Sequence, residues 1–241
     1  MITALYNLKL ITDGTITKGK AILIEGDKII DIIPETDIPQ NSSSIDLQGD
    51  YLAPGLIDLQ IYGAGKPLFF GGDPSAEALA QMEQTLLAEG CTGFLATIAT
   101  NTDDIVEIGI DAALEYWDKN TNGAQFLGIH LEGPYLNPKR CGAHPPSLIK
   151  KATLAQVKAW VEKAKGLIKM ITLAPELQDA EVLAYLNKQG VVLSSGHSNA
   201  TYQEGKSFLN KTVQAVTHLY NAMPPMHHRE PGYIPAIFEE R

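Results

Sequence analysis

Three polar positions, each at the end of an apolar run, carry a carboxylate and two imidazoles of the kind that bind metal ions. Glu132 ends one apolar run, His197 follows a second and His218 follows a third. A Glu-His-His set suits zinc or another first-row divalent ion, and three protein ligands leave one position for water and substrate. We therefore predict a metal site at Glu132, His197 and His218.

A further histidine lies close to this set. His130 precedes Glu132 by two residues, so both side chains point to the same face of a strand. Buried histidines usually find hydrogen-bond partners within the protein. His130 is therefore interpreted either as a partner of the metal site or as a packed core histidine, and the second alternative is at least as well supported.

The elements that must position these residues are short apolar runs that alternate with helical patterns. Helical periodicity, bounded by residues that typically start and stop helices, predicts helices over Asp73–Gly90, Thr153–Gly166 and about Asp179–Gly190. The alternation of strand and helix predicts a parallel sheet. The strand candidates end at Ile61, Thr97, Leu131, Leu173, Ser194 and Thr217.

The parallel sheet could belong to an open nucleotide-binding fold or to a closed barrel. Gly63-Ala64-Gly65 lacks the third glycine of the dinucleotide fingerprint and is followed by Pro67, so it is predicted to be a loop. Candidate site residues instead follow several strands, which is typical of (β/α)₈ barrels. The fold class predicted is therefore α/β, of the TIM-barrel type.

The first fifty residues have a different pattern. Ala21–Glu25 and Lys28–Ile33 flank the turn Gly26-Asp27 and predict a β-hairpin. We expect a small β domain over residues 1–51 and the barrel domain over residues 52–241.

Composition excludes several partner classes. The chain has 241 residues, 44% of them hydrophobic, and a net charge of −9, which repels phosphate backbones. No apolar stretch reaches the roughly 20 residues of a membrane helix, and the start lacks a secretory signal pattern. Cys91 and Cys141 are too few for a disulfide framework. We expect a cytoplasmic protein with neither nucleic acid nor membrane as partner.

Six short motifs extend over nearly the whole chain. They are Pro54-Gly55-Leu56-Ile57-Asp58, His130-Leu131-Glu132-Gly133-Pro134, Gly142-Ala143-His144, Ser195-Gly196-His197-Ser198, Thr217-His218-Leu219-Tyr220-Asn221-Ala222-Met223 and Arg229-Glu230-Pro231-Gly232. In order and spacing these motifs resemble those of a known family, the N-acetylglucosamine-6-phosphate deacetylases of the amidohydrolase superfamily.

The resemblance implies hydrolysis of N-acetylglucosamine 6-phosphate to glucosamine 6-phosphate and acetate, in amino-sugar catabolism. It also implies one divalent ion per subunit, with zinc expected and iron, cobalt or manganese as alternatives. A homodimer is implied because the family's arginine reaches into the neighbouring subunit's site. By this resemblance the metal ligands are Glu132, His197 and His218, the sugar-phosphate contacts are Ala143, Asn221, Ala222 and Arg229, and His144 lies near the sugar hydroxyls.

The residue types suit this chemistry. Amide hydrolysis requires an activated water and stabilisation of a developing oxyanion, and a bound divalent ion can supply both. His227, His228 and Arg229 form a local basic cluster for a phosphate, which the net negative charge would otherwise repel.

Two departures from the family pattern limit what the resemblance implies. Gln60-Ile61-Tyr62 stands where many superfamily members have His-x-His, so one metal is expected rather than two. The aspartate that acts as general base at the end of the eighth strand is expected beyond Arg241. We interpret the chain as a fragment with about six of eight barrel strands, predicted to be largely inactive alone because general acid–base catalysis contributes roughly 10² to 10⁴ in rate.

Three other functions remain open. One is a sugar-phosphate binding protein without catalysis, and another is an amidohydrolase acting on an unphosphorylated amide. Cysteine chemistry through Cys141 beside His144 has little support, because the sequence offers no sign of an oxyanion hole or an orienting partner.

Overall fold

The computed structural model describes residues 1–66, 68–69, 74–119 and 123–240. The chain divides into two compact units, Met1–Gly55 and Leu56–Arg241.

The first unit consists of strands in two small sheets. One sheet has the order β5-β4-β1-β6 and the other the order β3-β2-β7. The predicted hairpin is confirmed, since β4 and β5 pair antiparallel around Gly26, whose φ of 63° suits glycine. The strands are β1 (Ile2–Tyr6), β2 (Lys9–Thr12), β3 (Thr15–Thr17), β4 (Lys20–Glu25), β5 (Lys28–Pro34), β6 (Ser43–Asp46) and β7 (Tyr51–Leu52).

The second unit is a parallel sheet with helices between its strands. Its strands are β8 (Leu56–Ile61), β9 (Cys91–Ala99), β10 (Gln125–Glu132), β11 (Ile168–Leu173), β12 (Val192–Ser195) and β13 (Ala215–Val216). They lie side by side in chain order, and each pairs in parallel with the next. The helices are α1 (Ala76–Ala88), α2 (Asp103–Trp117), α3 (Leu154–Ala164), α4 (Ala180–Lys188), α5 (Tyr202–Phe208) and α6 (Tyr233–Glu239).

Burial explains why the central strands of this sheet, β9 to β12, read as apolar runs. In β9 every residue except Thr92 is buried, so both faces of the strand are covered. Phe94, Ile129 and Leu193 of the strands belong to the same apolar cluster as residues of the helices. The predicted parallel α/β sheet is confirmed, and the strand ends lie within two residues of the predicted ones.

Helix boundaries follow local capping chemistry. The Thr153 hydroxyl accepts a hydrogen bond from the Gln156 N–H at the start of α3, as its sequence pattern predicts. The predicted start of α1 at Asp73-Pro74 is wrong: the helix begins at Ala76 because Ser75 caps it, and Asp73 lies outside the described residues. Within the part of the chain that the structure describes, no helix has the length and apolar character needed to cross a membrane.

Candidate metal centre

The centre of the site is Glu132, the last residue of β10, whose carboxylate is buried. Two donors reach it from the end of β8. The Gln60 amide donates to Oε1 at 2.9 Å, and the Tyr62 hydroxyl donates to Oε2 at 2.5 Å. Because Gln60 and Tyr62 are two residues apart, they point to the same face at the strand end. Gln60 and Tyr62, which stand where many superfamily members have His-x-His, thus donate hydrogen bonds to the Glu132 carboxylate.

Three histidines from different loops face the same carboxylate. His218 Nε2 lies 2.7 Å from Glu132 Oε1, and His197 Nε2 lies 3.4 Å from that oxygen. His144 Nε2 lies 3.4 Å from Oε2. The structure therefore brings Glu132, His197 and His218 together and adds His144. The candidate ligand atoms of Glu132, His144 and His197 lie within 4.8 Å of one another.

His197 has the chemistry of a metal ligand. It follows β12 in the left-handed region with a φ of 49°, and its ring is buried. Its Nδ1–H donates to the Arg140 carbonyl at 2.8 Å, which leaves the Nε2 lone pair free to face Glu132. Among the described residues, this buried Nε2 has no hydrogen-bond partner. The donor set and this orphaned nitrogen fit a divalent ion.

The electrostatics keep Glu132 ionised. Burial alone would raise its pKa, but the close imidazoles of His144 and His197 and the hydrogen bonds with His218 and Tyr62 together hold the pKa well below its usual range. Burial and the adjacent carboxylate raise the pKa of Tyr62, so its hydroxyl remains a donor. The hydrogen bond to Glu132 raises the pKa of His218.

His130 differs from these histidines because both of its ring nitrogens have protein partners. Nδ1–H donates to the Leu59 carbonyl at 2.8 Å, and Nε2 lies 2.7 Å from the Thr172 hydroxyl. Burial lowers the pKa of the ring, which favours the neutral form. Of the two interpretations that the sequence left open, this geometry favours the packed core histidine.

A buried chain of hydrogen bonds begins at His130, and the donor in each bond can be assigned. Since a carbonyl only accepts, the proton of His130 is on Nδ1, and Nε2 must accept from Thr172. Thr172 then accepts from the Thr217 hydroxyl at 2.8 Å, and Thr217 accepts from Ser194 at 2.7 Å. We call Ser194, Thr217, Thr172 and His130 the buried relay; it links four strands or strand ends beneath the site.

The predicted substrate contacts fall into two groups. Ala143 and His144 line a cavity of about 320 Å³ together with Glu132. Asn221 and Ala222 follow β13 in a tight turn, where the Asn221 N–H donates to the His218 carbonyl at 2.6 Å. Arg229 is exposed, and its N–H donates to His227 Nδ1.

Comparison with known proteins adds to this geometry. Residues 51–233 match the amidohydrolase family. The chain belongs to the amidohydrolase family. This family of enzymes is metal-dependent, which agrees with a candidate metal site at the carboxyl ends of the strands, and the chain carries an incomplete barrel of this family's fold.

Among curated relatives in the family, the N-acetylglucosamine-6-phosphate deacetylase of Haemophilus influenzae is 35% identical over 98% of this chain and 61% of its own length. The N-acetylglucosamine-6-phosphate deacetylase of Bacillus subtilis is 35% identical over 95% of this chain and 58% of its own length. The crystal structure of N-acetylglucosamine-6-phosphate deacetylase from Pasteurella multocida superposes with a TM-score of 0.90 at 35% identity, covering 99% of this chain and 62% of that one. The chain thus spans about 60% of the length of these relatives.

Proposed function

We propose that the whole protein removes the acetyl group of N-acetylglucosamine 6-phosphate, and that this chain supplies the metal ligands and the sugar-phosphate contacts. The observation that carries the proposal is the convergence of Glu132, His197 and His218 beside the cavity lined by His144. The relatives that share this sequence over nearly all of the chain are deacetylases of this sugar phosphate.

The proposed cofactor is one divalent ion, zinc in preference to iron, cobalt or manganese, held by Glu132, His197 and His218. When bound, such an ion polarises the amide carbonyl and activates a water for attack. Gln60 is not a ligand in this proposal, because its amide nitrogen donates to the Glu132 carboxylate. A single ion is therefore proposed.

The chain's own residues hold the reacting groups. Gln60 and Tyr62 fix the Glu132 carboxylate from one side, and the Arg140 carbonyl fixes the tautomer of His197. His144 and Ala143 are proposed to contact the sugar. His144 lies beside both the carboxylate and the cavity, so it can orient a hydroxyl close to the acetamide.

The phosphate is proposed to bind at the segment that follows β13. The Asn221 side-chain amide and the Ala222 N–H offer donors, and Arg229 offers a guanidinium on an exposed stretch. An arginine this exposed can reach a neighbouring subunit, which supports a homodimer as the working assembly. The two cysteines are free and the substrate is a charged metabolite, so we propose a cytoplasmic location without nucleic acid or membrane partners.

Acetate release measures the proposed activity directly. The whole protein, freed of metal and reloaded with zinc, iron, cobalt or manganese, is incubated with N-acetylglucosamine 6-phosphate and with unphosphorylated N-acetylglucosamine. We expect metal-dependent acetate release from the phosphorylated sugar. Equal rates with both sugars would instead support an amidohydrolase acting on an unphosphorylated amide, and binding without acetate would support a sugar-phosphate binding protein.

Arg229→Ala tests the phosphate contact. Losing a hydrogen bond to a charged group costs roughly 1.5–3 kcal/mol, so KM should rise by about 10- to 100-fold for the phosphorylated sugar with kcat little changed. Lys188→Ala, which removes an exposed cation from α4, is the matched control and should leave KM unchanged. An unchanged KM in the arginine variant would contradict this assignment.

A further inference from the structure

A carboxylate outside the metal centre accepts three hydrogen bonds from the loops that surround His197. Glu176 lies in the short 3₁₀ turn Pro175–Leu177 that follows β11, and it is half-buried. Its Oε1 accepts from the Asn137 side-chain amide at 3.0 Å and from the Asn199 N–H at 2.7 Å. Its Oε2 accepts from the Ser198 hydroxyl at 2.7 Å.

All three donors are connected to His197. Ser198 and Asn199 are the two residues that follow it in the chain. The Asn137 N–H donates to the His197 carbonyl at 2.9 Å. Glu176 thus holds the main chain immediately after His197 and the residue that bonds its carbonyl.

Asn137 also connects Glu176 to the imidazole ring of His197. Its side-chain oxygen accepts from the Lys139 N–H, and its carbonyl accepts from the Arg140 N–H, which closes the turn Pro138–Arg140. That turn presents the Arg140 carbonyl to His197 Nδ1, and the Arg140 side chain bonds Asn199 at 2.9 Å. A continuous hydrogen-bonded frame therefore leads from one carboxylate to the ring nitrogen that sets the tautomer.

His197 needs such a frame. A histidine with a φ of 49° lies in the left-handed region, which persists only where surrounding contacts impose it. Hydrogen bonds to an ionised carboxylate are about twice as strong as neutral ones, so a carboxylate is well suited to impose this conformation. Among the described residues, Glu176 does not belong to the group of candidate ligands around Glu132.

We propose that Glu176 is a positioning residue, which fixes the backbone and ring of His197 so that Nε2 faces the metal position. This inference rests on the metal site of the proposed function and is independent of the proposed substrate.

Metal binding by the full chain tests the proposal without any assay of activity. Glu176→Ala removes all three acceptors. Glu176→Gln keeps Oε1 for Asn137 and Asn199 and can donate to the Ser198 hydroxyl, so it is the conservative variant. Glu181→Gln, an exposed carboxylate on α4, is the matched control. Zinc affinity is measured by chelator competition, the ligand geometry by the visible spectrum of the cobalt-loaded protein, and folding by the Tm of the metal-free protein.

Loss of partners that orient a metal ligand typically weakens metal binding by about 10- to 100-fold, and we expect this for Glu176→Ala together with an altered cobalt spectrum. Glu176→Gln should restore most of the affinity and the wild-type spectrum, and the control should match wild type. Wild-type affinity and spectrum in Glu176→Ala would overturn the proposal.

Two further outcomes also decide between positioning and folding. If Glu176→Ala does not fold, Glu176→Asp decides, because its shorter side chain keeps the charge but cannot reach all three donors: a weaker zinc affinity or a shifted cobalt spectrum at a wild-type Tm supports positioning, and wild-type affinity and spectrum overturn it. Unfolding of both variants would assign Glu176 to folding and overturn the proposal. Absence of zinc binding by the wild-type chain would instead contradict the metal site itself.

Discussion

His130 and His197 are both buried imidazoles whose Nδ1–H donates to a main-chain carbonyl, yet their other nitrogens differ. Nε2 of His130 bonds Thr172 in the buried relay, whereas Nε2 of His197 has no hydrogen-bond partner among the described residues. Because buried polar atoms are nearly always paired, an unpaired one needs an explanation. The comparison separates His197, whose Nε2 the fold leaves open as a proposed metal ligand requires, from His130, whose two ring nitrogens are both hydrogen-bonded.

The largest effect is expected on zinc affinity when the carboxylate that faces the unpaired nitrogen of His197 is replaced. Glu132→Gln replaces the carboxylate that faces His197 and His218 with a neutral amide of similar shape. Zinc affinity should fall by more than the roughly 10- to 100-fold typical of residues that only orient a ligand. Equilibrium dialysis with metal analysis measures the loss, and Glu181→Gln is the exposed control. Stoichiometric zinc at unchanged affinity would contradict the site.

An intermediate effect, on stability, is expected when His130 is replaced, because both of its ring nitrogens are hydrogen-bonded. His130→Leu leaves the Leu59 carbonyl and the Thr172 hydroxyl without their partner. An unsatisfied buried group costs about 1–3 kcal/mol, so the free energy of unfolding in urea should fall by this amount. Zinc affinity should change little, because His130 does not face the Glu132 carboxylate oxygens in the way that His197 does.

The matched control for this variant is His228→Leu in the exposed segment after β13. Substitutions at such surface positions usually change stability by at most about 0.5 kcal/mol. A wild-type free energy of unfolding in His130→Leu, or a loss of zinc binding as large as in Glu132→Gln, would erase the distinction between the two histidines.

The smallest effect is expected further along the relay. Thr172→Val keeps the shape of the side chain but removes the hydroxyl between His130 and Thr217. The Thr217 hydroxyl can then donate to Ser194 instead, so only His130 Nε2 is left unpaired, and the free energy of unfolding should fall by about 1 kcal/mol, the low end of the cost of an unsatisfied buried group. Because Thr172 and His130 share one bond, the double variant should lose less than the sum of the single ones. Strict additivity in urea denaturation would show that the relay does not act as a unit.

Local patterns in the sequence account for most of the fold. Apolar runs predicted the parallel strands because covered faces require them, and Thr153 predicted the start of α3 because its hydroxyl acts within three residues. Ser75 was missed as a cap because Asp73-Pro74 offers an equally good local signal. Local signals thus locate elements, and competing caps shift their ends.

The candidate metal site could be predicted at residues whose side-chain type alone suggests metal binding. Glu132, His197 and His218 are such residues, and the structure brings their side chains together. The roles of Gln60 and Glu176 depend on partners 72 and about 40 residues away, which no local pattern encodes. The spacing of Gln60 and Tyr62 at a strand end was the one available signal for the first of these.

The order of the strands along the sheet has a consequence for synthesis on the ribosome. Glu132 emerges 86 residues before His218, an interval of about 4–17 s at 5–20 residues per second. For most of that interval the carboxylate lacks both His197 and His218, because only His144 among its histidine neighbours follows it closely in the chain. Gln60 and Tyr62 precede it in the chain, so their two hydrogen bonds are the ones that can receive this carboxylate first.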